Sequence, residues 1–220
     1  MLWNASAIDG YVTHARDGRL GTVSDLLFED VRWIIRWLVV DTDNWLSGRK
    51  VILPLAALGQ PDPALREFPV KLTMQQVKES PDVDTDQPVS RQIQTYLYNH
   101  YGFYPYPNEE DSHLRSIAAV TGYHIHAADG EIGHVEDFLV DDAGWGIRYI
   151  TVDTRNWWPG KRVLISPRSI REIDWADRLI QFNVNRRKVK DGPPYDTSIT
   201  VDGAYDETFL TYYGIRWVAA

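Results

Sequence analysis

Three histidines in the second half of the chain have a spacing that could hold a metal ion. His124 and His126 are two residues apart, so their side chains share one face if this segment is a strand. His134 follows across a predicted hairpin. Imidazole nitrogens bind zinc and other borderline divalent metals, but the first half of the chain keeps only His14 at the matching positions. The pattern indicates either a metal site or a partly exposed polar strand face.

Two loops of similar sequence carry tryptophan. Asp-Thr-x-Asn-Trp occurs at 41–45 and again at 153–157, where another tryptophan follows. Asp and Asn favour turns because their side chains bond nearby backbone amides, and Trp is frequent at binding hot spots. Such a loop packs on its own domain, anchors a protein interface or forms a platform for a small molecule. The candidate binding residues are Asn44, Trp45, Asn156, Trp157 and Trp158, together with His124, His126 and His134.

The balance of charge argues against nucleic acid as a partner. The chain has 31 acidic and 23 basic residues, a net charge of −8, whereas proteins that grip phosphate backbones are normally basic because counterion release drives their affinity. The basic run at 186–190 has a mostly uncharged counterpart at 74–78. We interpret this run as solvated charge on a short helix.

Two arginines, Arg36 and Arg148, interrupt segments that are otherwise apolar. A buried guanidinium needs a carboxylate partner. We expect a structural role for both, with the repeated aspartates at 25 and 137, or at 41 and 153, as partners.

No recognised catalytic signature occurs in the sequence. It contains no Gly-rich phosphate loop, no nucleophile elbow and no His-Glu-x-x-His helix, and it has no cysteine. Paired carboxylates act as acid and base only where their surroundings separate their pKa values, which a sequence does not reveal. We therefore expect no enzymatic activity, no catalytic residue and no cofactor.

The chain repeats itself at an offset of 112 residues. Asp17-Gly18 is matched by Asp129-Gly130, and the tryptophan loops and the Tyr-Gly pairs at 101–102 and 213–214 match at the same offset. About a third of the paired positions from 2 to 108 are identical, against about one in fifteen for unrelated segments. We predict two homologous domains, 1–108 and 113–220, joined by a polar linker.

Each repeat has the pattern of short strands followed by helices. Apolar alternation and Gly or Asp turns at intervals of about 8–12 residues are typical of a small sandwich or barrel, and closure of a barrel removes exposed edges. Cap residues predict helices near 74–78 and 186–190, and longer helices from about 90 to 101 and from about 202. The predicted fold is mainly β with short helices, as two tandem small β-barrels, each followed by C-terminal helices.

The second repeat resembles the PRC-barrel domain, a family named for the H subunit of the photosynthetic reaction centre that includes the C-terminal domain of a ribosome-maturation factor. The resemblance rests on Gly-Tyr at 122–123, Asp-Gly-Glu-Ile-Gly-His-Val-Glu-Asp-Phe at 129–138, Ile-Arg-Tyr at 147–149 and Val-Asp-Thr at 152–154. It covers about 7–80 and 119–192. In the first repeat, Thr22 replaces His134, and Val31-Arg32 replaces Ala143-Gly144. The resemblance implies small barrels that dock on proteins, with no shared catalytic residues. Tandem barrels with helical tails resemble bacterial proteins whose role is generally unassigned.

These observations favour a non-enzymatic scaffold or adaptor that binds an unidentified protein partner. The alternative is a small-ligand or metal-binding sensor that uses the histidine face or the second tryptophan loop. Without an apolar span or a signal-peptide pattern, we expect a cytoplasmic protein. The aromatic tails at 90–106 and 202–217 need covering surfaces, and we expect the first to dock within the molecule and the second to favour a homodimer.

Overall fold

A computed structural model of the chain describes residues 2–43, 45–81, 91–103, 113–154, 158, 161–195 and 201–215. The fold is mainly β, with two sheets and few helices, as the composition of short alternating segments predicts. The strands are β1 (Leu2–Asn4), β2 (Val12–Ala15), β3 (Gly18–Glu29), β4 (Ile34–Asp41), β5 (Lys50–Pro54), β6 (Glu67–Pro69), β7 (Leu114–Ser116), β8 (His124–Ala127), β9 (Gly130–Asp141), β10 (Ile147–Asp153), β11 (Arg162–Ile165), β12 (Ile170–Asp174) and β13 (Leu179–Phe182). The α-helices are α1 (Met74–Lys78), α2 (Arg91–Tyr101), α3 (Ile117–Val120), α4 (Arg186–Lys190) and α5 (Gly203–Tyr213).

The chain divides into two compact units. One comprises Ala5–Ala119, and the other comprises Val120–Ala220 together with the first four residues. Within the first unit the strand order is β5-β4-β3-β2-β6, and β7 also pairs with β3. Within the second unit the order is β11-β10-β9-β8-β13-β12, and β1 also pairs with β9. The first short strand of each repeat is therefore a member of the sheet formed by the other repeat.

Both sheets follow one plan. Neighbouring strands are antiparallel, except that β2 with β6 and β8 with β13 are parallel. The strands β4 and β10 are central and almost fully buried, which explains why both read as continuous apolar runs. The elements recur at the offset seen in the sequence: β2, β3, α1, α2 of the first unit and β8, β9, α4, α5 of the second begin 112 residues apart.

The two sheets are open along their described strands. Each order ends at two edge strands, β5 and β6 in the first unit and β11 and β12 in the second, and no ladder joins these ends among the described residues. In the first unit an isolated bridge joins Leu58 to Val70. The closed barrels predicted from the sequence are therefore not confirmed, and the open sheets are what the structure establishes.

Helix boundaries follow the predicted caps. The Thr73 hydroxyl accepts from the Gln76 amide in a capping box, and the Asn185 side chain accepts from the Lys188 amide. Asp202 caps α5 in the same way, and Gly214 ends that helix in the left-handed conformation at φ 68°. No helix in the described part of the chain is long and apolar enough to cross a lipid bilayer.

Both long helices cover core aromatic residues of their own unit. In the first unit Tyr98 of α2 packs on Trp37, with ring centroids 4.5 Å apart. In the second unit Phe209 of α5 lies 4.6 Å from Tyr149 and is 1% exposed. The described part of the first tail, α2, therefore packs on its own unit, in agreement with the expected docking within the molecule. Helix α5 of the second tail is also packed on its own unit. The homodimer was expected because this tail needed a covering surface, and that reason no longer applies. The homodimer itself stays a prediction.

Candidate functional site

The repeated Asp-Gly-x-x-Gly motif has a structural role. Gly21 has φ 148° and Gly133 has φ 155°, values that residues with a side chain rarely adopt. A Cβ atom at Gly21 would lie 1.9 Å from the Asp41 carbonyl oxygen, and one at Gly133 would lie 1.9 Å from that of Asp153. Only glycine allows the long strand to approach its neighbour this closely, so these residues fix the sheets rather than a ligand.

The aspartates of the same motif join each hairpin to a helix. The Asp17 carboxylate accepts from the Met74 backbone amide at 2.8 Å, and the Asp129 carboxylate accepts from the Arg186 amide at 2.7 Å. Both amides open a short helix, where backbone donors lack helical partners. The motif thus holds α1 and α4 against their hairpins.

The β8–β9 hairpin brings together two of the predicted histidines and a glutamate. His124 is directly opposite His134 in the ladder, and their ring centroids are 4.6 Å apart. The His124 Nδ1 atom lies 3.9 Å from a Glu131 carboxylate oxygen. One potential ligand atom from each of His124, Glu131 and His134 lies within 4.8 Å of the other two. Sequence reasoning missed Glu131 from this set.

A register shift in the hairpin explains why the glutamate joins the set. The ladder pairs Ile125 with Gly133 and then His126 with Glu131, which leaves Ile132 as an extra residue on β9. In a regular strand, residues three apart point to opposite faces, but a bulge re-aims the side chains around it. His126 is half-buried and is not a member of the cluster.

The first tryptophan loop packs on its own unit. The Trp45 indole nitrogen donates to the Leu20 carbonyl, and the Arg19 guanidinium pairs with the Asp43 carboxylate at 3.1 Å. An open depression of about 520 Å³ lies beside this loop. Because its indole N–H is used internally, Trp45 is held in place as part of the unit.

Trp158, which follows the second tryptophan loop, lies near two lysines, and a third lysine lies near two tyrosines of α5. The Lys161 and Lys190 ammonium groups lie 5.9 and 5.5 Å from the centre of the Trp158 ring. The Lys188 ammonium lies 6.0 Å from the Tyr212 ring and 5.7 Å from the Tyr213 ring. Lys188 and Lys190 both belong to α4, and we call the two groups together the Trp158 patch, defined as Trp158, Lys161, Lys188, Lys190, Tyr212 and Tyr213. The predicted candidates Asn44, Asn156 and Trp157 lie outside the described residues.

The arginines within the apolar strands have carboxylate partners other than those suggested by the repeat. Arg36 donates to Glu29 at 2.8 Å, and both side chains are buried. Arg148 donates to Asp206 of α5 at 2.9 Å, and the Tyr149 hydroxyl donates to the same carboxylate. The partners that the structure shows, Glu29 and Asp206, differ from the aspartates suggested by the repeat and are not related by the offset. The structural role expected for both arginines agrees with these pairs.

Comparison of the sequence with protein-family models returns no match, and comparison with curated proteins returns none either.

Proposed function

We propose that this protein is a non-enzymatic interaction protein, an adaptor built from two PRC-barrel-like units. The common strand plan of the two sheets supports the barrel interpretation, as does the Leu58–Val70 bridge between the end of β6 and the segment after β5. The family resemblance, which implies docking on proteins, supports the function. The partner contact is assigned to the Trp158 patch of the second unit.

The single observation that carries this proposal is the placement of lysines around aromatic rings. Three ammonium groups lie within about 6 Å of ring centres in the patch, a distance at which cation–π attraction operates. The chain as a whole carries a net charge of −8, so the cluster of three lysines in the patch contrasts with the overall negative charge. Arg187 also lies on α4 with its side chain 90% exposed, and it pairs with the Asp191 carboxylate at 3.5 Å.

The chemistry of the patch fits an acidic segment of a protein. Carboxylates of Asp and Glu complement the lysines, and complementary charge favours encounter and specificity. Trp and Tyr rings add the flat apolar contact that is enriched at binding hot spots. The acidic remainder of the chain repels both ligands at long range, but it repels a peptide less because nucleic acid has a denser line of negative charge. An acidic peptide is therefore the proposed partner, and nucleic acid is an outcome that the test separates.

The first unit offers an internal comparison. Met74, Gln75 and Gln76 stand at the positions of Arg186, Arg187 and Lys188. The two units thus share a backbone plan but differ in surface charge at this helix. The proposed binding belongs to the second unit alone.

The test measures binding of a fluorescein-labelled peptide rich in Glu and Asp by fluorescence anisotropy. We expect saturable binding that weakens with salt, and a loss of affinity of about tenfold or more in Lys161→Glu/Lys190→Glu. The control Lys71→Glu/Lys78→Glu changes the total charge equally in the first unit and should leave binding almost unchanged.

Two results would contradict the proposal. One is the absence of saturable binding by the peptide. The other is an equal loss in both double variants, which would show that only total charge matters. A labelled single-stranded oligonucleotide that binds more tightly than the peptide, and loses affinity in the same patch variant, would assign the surface to nucleic acid instead.

A further inference from the structure

We infer that His124, Glu131 and His134 form a binding site for a divalent transition-metal ion of the zinc class. The inference is independent of the proposed function, because the Trp158 patch contributes none of these residues. It rests on the mutual distance of the three ligand groups, on their chemistry and on the bulge that brings them to one face of the hairpin.

The distances are close to those required for coordination. Zinc binds imidazole nitrogen and carboxylate oxygen at about 2.0–2.2 Å, which places tetrahedral ligands about 3.4 Å apart. The three ligand atoms already lie within 4.8 Å of one another, so no pair has to approach by more than about 1.4 Å to reach this spacing. The His124 and Glu131 side chains are 54% and 46% exposed, so they have room to rotate and an ion reaches them from solvent.

The ligand types select the ion. Two neutral imidazoles with one carboxylate suit zinc and the later first-row metals, while magnesium and calcium prefer oxygen ligands only. Three protein ligands leave at least one coordination position for water or for a side chain of a partner. An exposed site of this kind binds reversibly, since no folded core encloses the ion.

The first unit contains the corresponding hairpin, β2–β3, without the three ligand residues. Its β2–β3 ladder has the matching register shift, between Thr13 and His14. The positions that correspond to His124, Glu131 and His134 hold Val12, Arg19 and Thr22. None of these side chains offers an imidazole or a carboxylate, so we expect one ion for each chain.

The test titrates the untagged full chain with zinc chloride by isothermal titration calorimetry. We expect one zinc ion per chain and a matching rise in melting temperature, because the ion binds the folded state. His134→Ala and Glu131→Gln should each weaken zinc affinity by at least about tenfold. His126→Ala, on the same strand but outside the cluster, should change it by less than about threefold.

A variant that adds a second site tests the inference even if a variant that removes a ligand folds poorly. Val12→His/Arg19→Glu/Thr22→His transfers the three ligands to the matching hairpin and should raise the stoichiometry from one zinc ion to two. The inference is overturned if the wild type binds no zinc, or if His126→Ala abolishes binding while Glu131→Gln does not. A stoichiometry that stays at one in the folded triple variant would also overturn this ligand set.

Discussion

At Gly21 and Gly133, the absence of a Cβ atom allows close approach of two strands. Each glycine lets β3 or β9 approach the neighbouring strand so closely that a Cβ atom would lie 1.9 Å from a backbone carbonyl oxygen. Backbone atoms cannot move aside as a flexible side chain can, so the clash has no easy relief. The positive φ angle adds a conformational penalty for any other residue.

Gly133→Ala should therefore lower the free energy of unfolding by at least about 2 kcal/mol. Gly146→Ala is the matched control, because a Cβ atom there meets nothing within 4 Å. Urea unfolding of the two variants measures the difference. Equal stability of Gly133→Ala and the wild type would show that the strands can separate at this point without cost.

Asp25 introduces a dependence of stability on pH. Its carboxylate accepts from the backbone amides of Leu26 and Ala118 at 2.7 and 3.1 Å and from the Ser116 hydroxyl. Burial raises the pKa of Asp25 above its usual value, although these hydrogen bonds and the charge of Lys50 act in the other direction. The folded state therefore holds a proton on this group to a higher pH than the unfolded state does.

The sign of the pH effect follows from this shift. A raised pKa in the folded state gives a contribution to stability that is fully present below the unfolded pKa of about 3.9 and is lost as pH rises through the folded pKa. The wild type should gain stability relative to Asp25→Asn as the pH falls toward 4. Melting curves from pH 7 to pH 4 measure this difference, with Asp62→Asn at an exposed turn as the control for removal of one charge. A difference that is constant with pH would contradict the prediction.

At the scale of elements, the Asp206 carboxylate makes the polar contacts described between α5 and β10. Asp206 accepts from the Arg148 guanidinium at 2.9 Å and from the Tyr149 hydroxyl, and both donors belong to β10. Phe209 packs on Tyr149 beside this contact. The helix is thus joined to its sheet by an ion pair, a hydrogen bond and a buried ring.

Asp206→Ala should destabilise the protein by about 1–3 kcal/mol, since it removes the partner of two partly buried donors. Glu207→Ala, at the next position and exposed, should stay within about 0.5 kcal/mol of the wild type. Thermal unfolding at neutral pH compares the two variants. A similar small effect in both would show that the aromatic contacts alone hold α5.

The elements that could be predicted from the sequence are those with local signals. Thr73, Asn185 and Asp202 are cap residues whose partners are two or three positions away, so the helix starts follow from the pattern. Strands such as β13 follow from apolar alternation. The partners of Arg36 and Arg148 could not be predicted, because they depend on which segment crosses each strand.

The candidate site was predictable only in part for the same reason. Spacing alone pairs His124 with His126, and the hairpin adds His134. Glu131 enters through the bulge at Ile132, and an extra residue in a ladder leaves no fixed mark in a sequence. Lys190 reaches Trp158 from a different element, so this contact also required the structure.

At the scale of the whole molecule, the units do not coincide with the sequence repeats. The β7 residues Leu114 and Ser116 pair with Glu29 and Leu27 of β3, and Arg115 donates to Asp30 at 2.8 Å. These residues belong to the second repeat by sequence but to the first unit by contact. A strand of three residues has no pattern of its own that would indicate its partner, so the repeat offset does not reveal that β7 pairs with β3.

A fragment that ends at 108 should therefore be less stable than one that ends at 119. The fragment 5–119 retains β7 and the buried Leu114 and Ile117, and loss of this apolar burial from 5–108 should cost at least about 2 kcal/mol. Urea unfolding of the two fragments, followed by circular dichroism, gives the comparison. Fragments of equal stability would show that β7 adds nothing to its sheet.

The pairing of β1 with β9 also affects the order in which the two sheets are completed during synthesis. Trp3 is opposite Val140, so the ribosome adds more than a hundred residues between this strand and its partner. The sheet of the first unit has all of its strands once β7 has emerged, while β1 must wait in an incomplete nascent chain. Closure of so long a loop costs more entropy than closure of a hairpin, and such contacts form slowly. We therefore expect the second sheet to be completed after the first, by a segment that is translated before every strand of the first sheet.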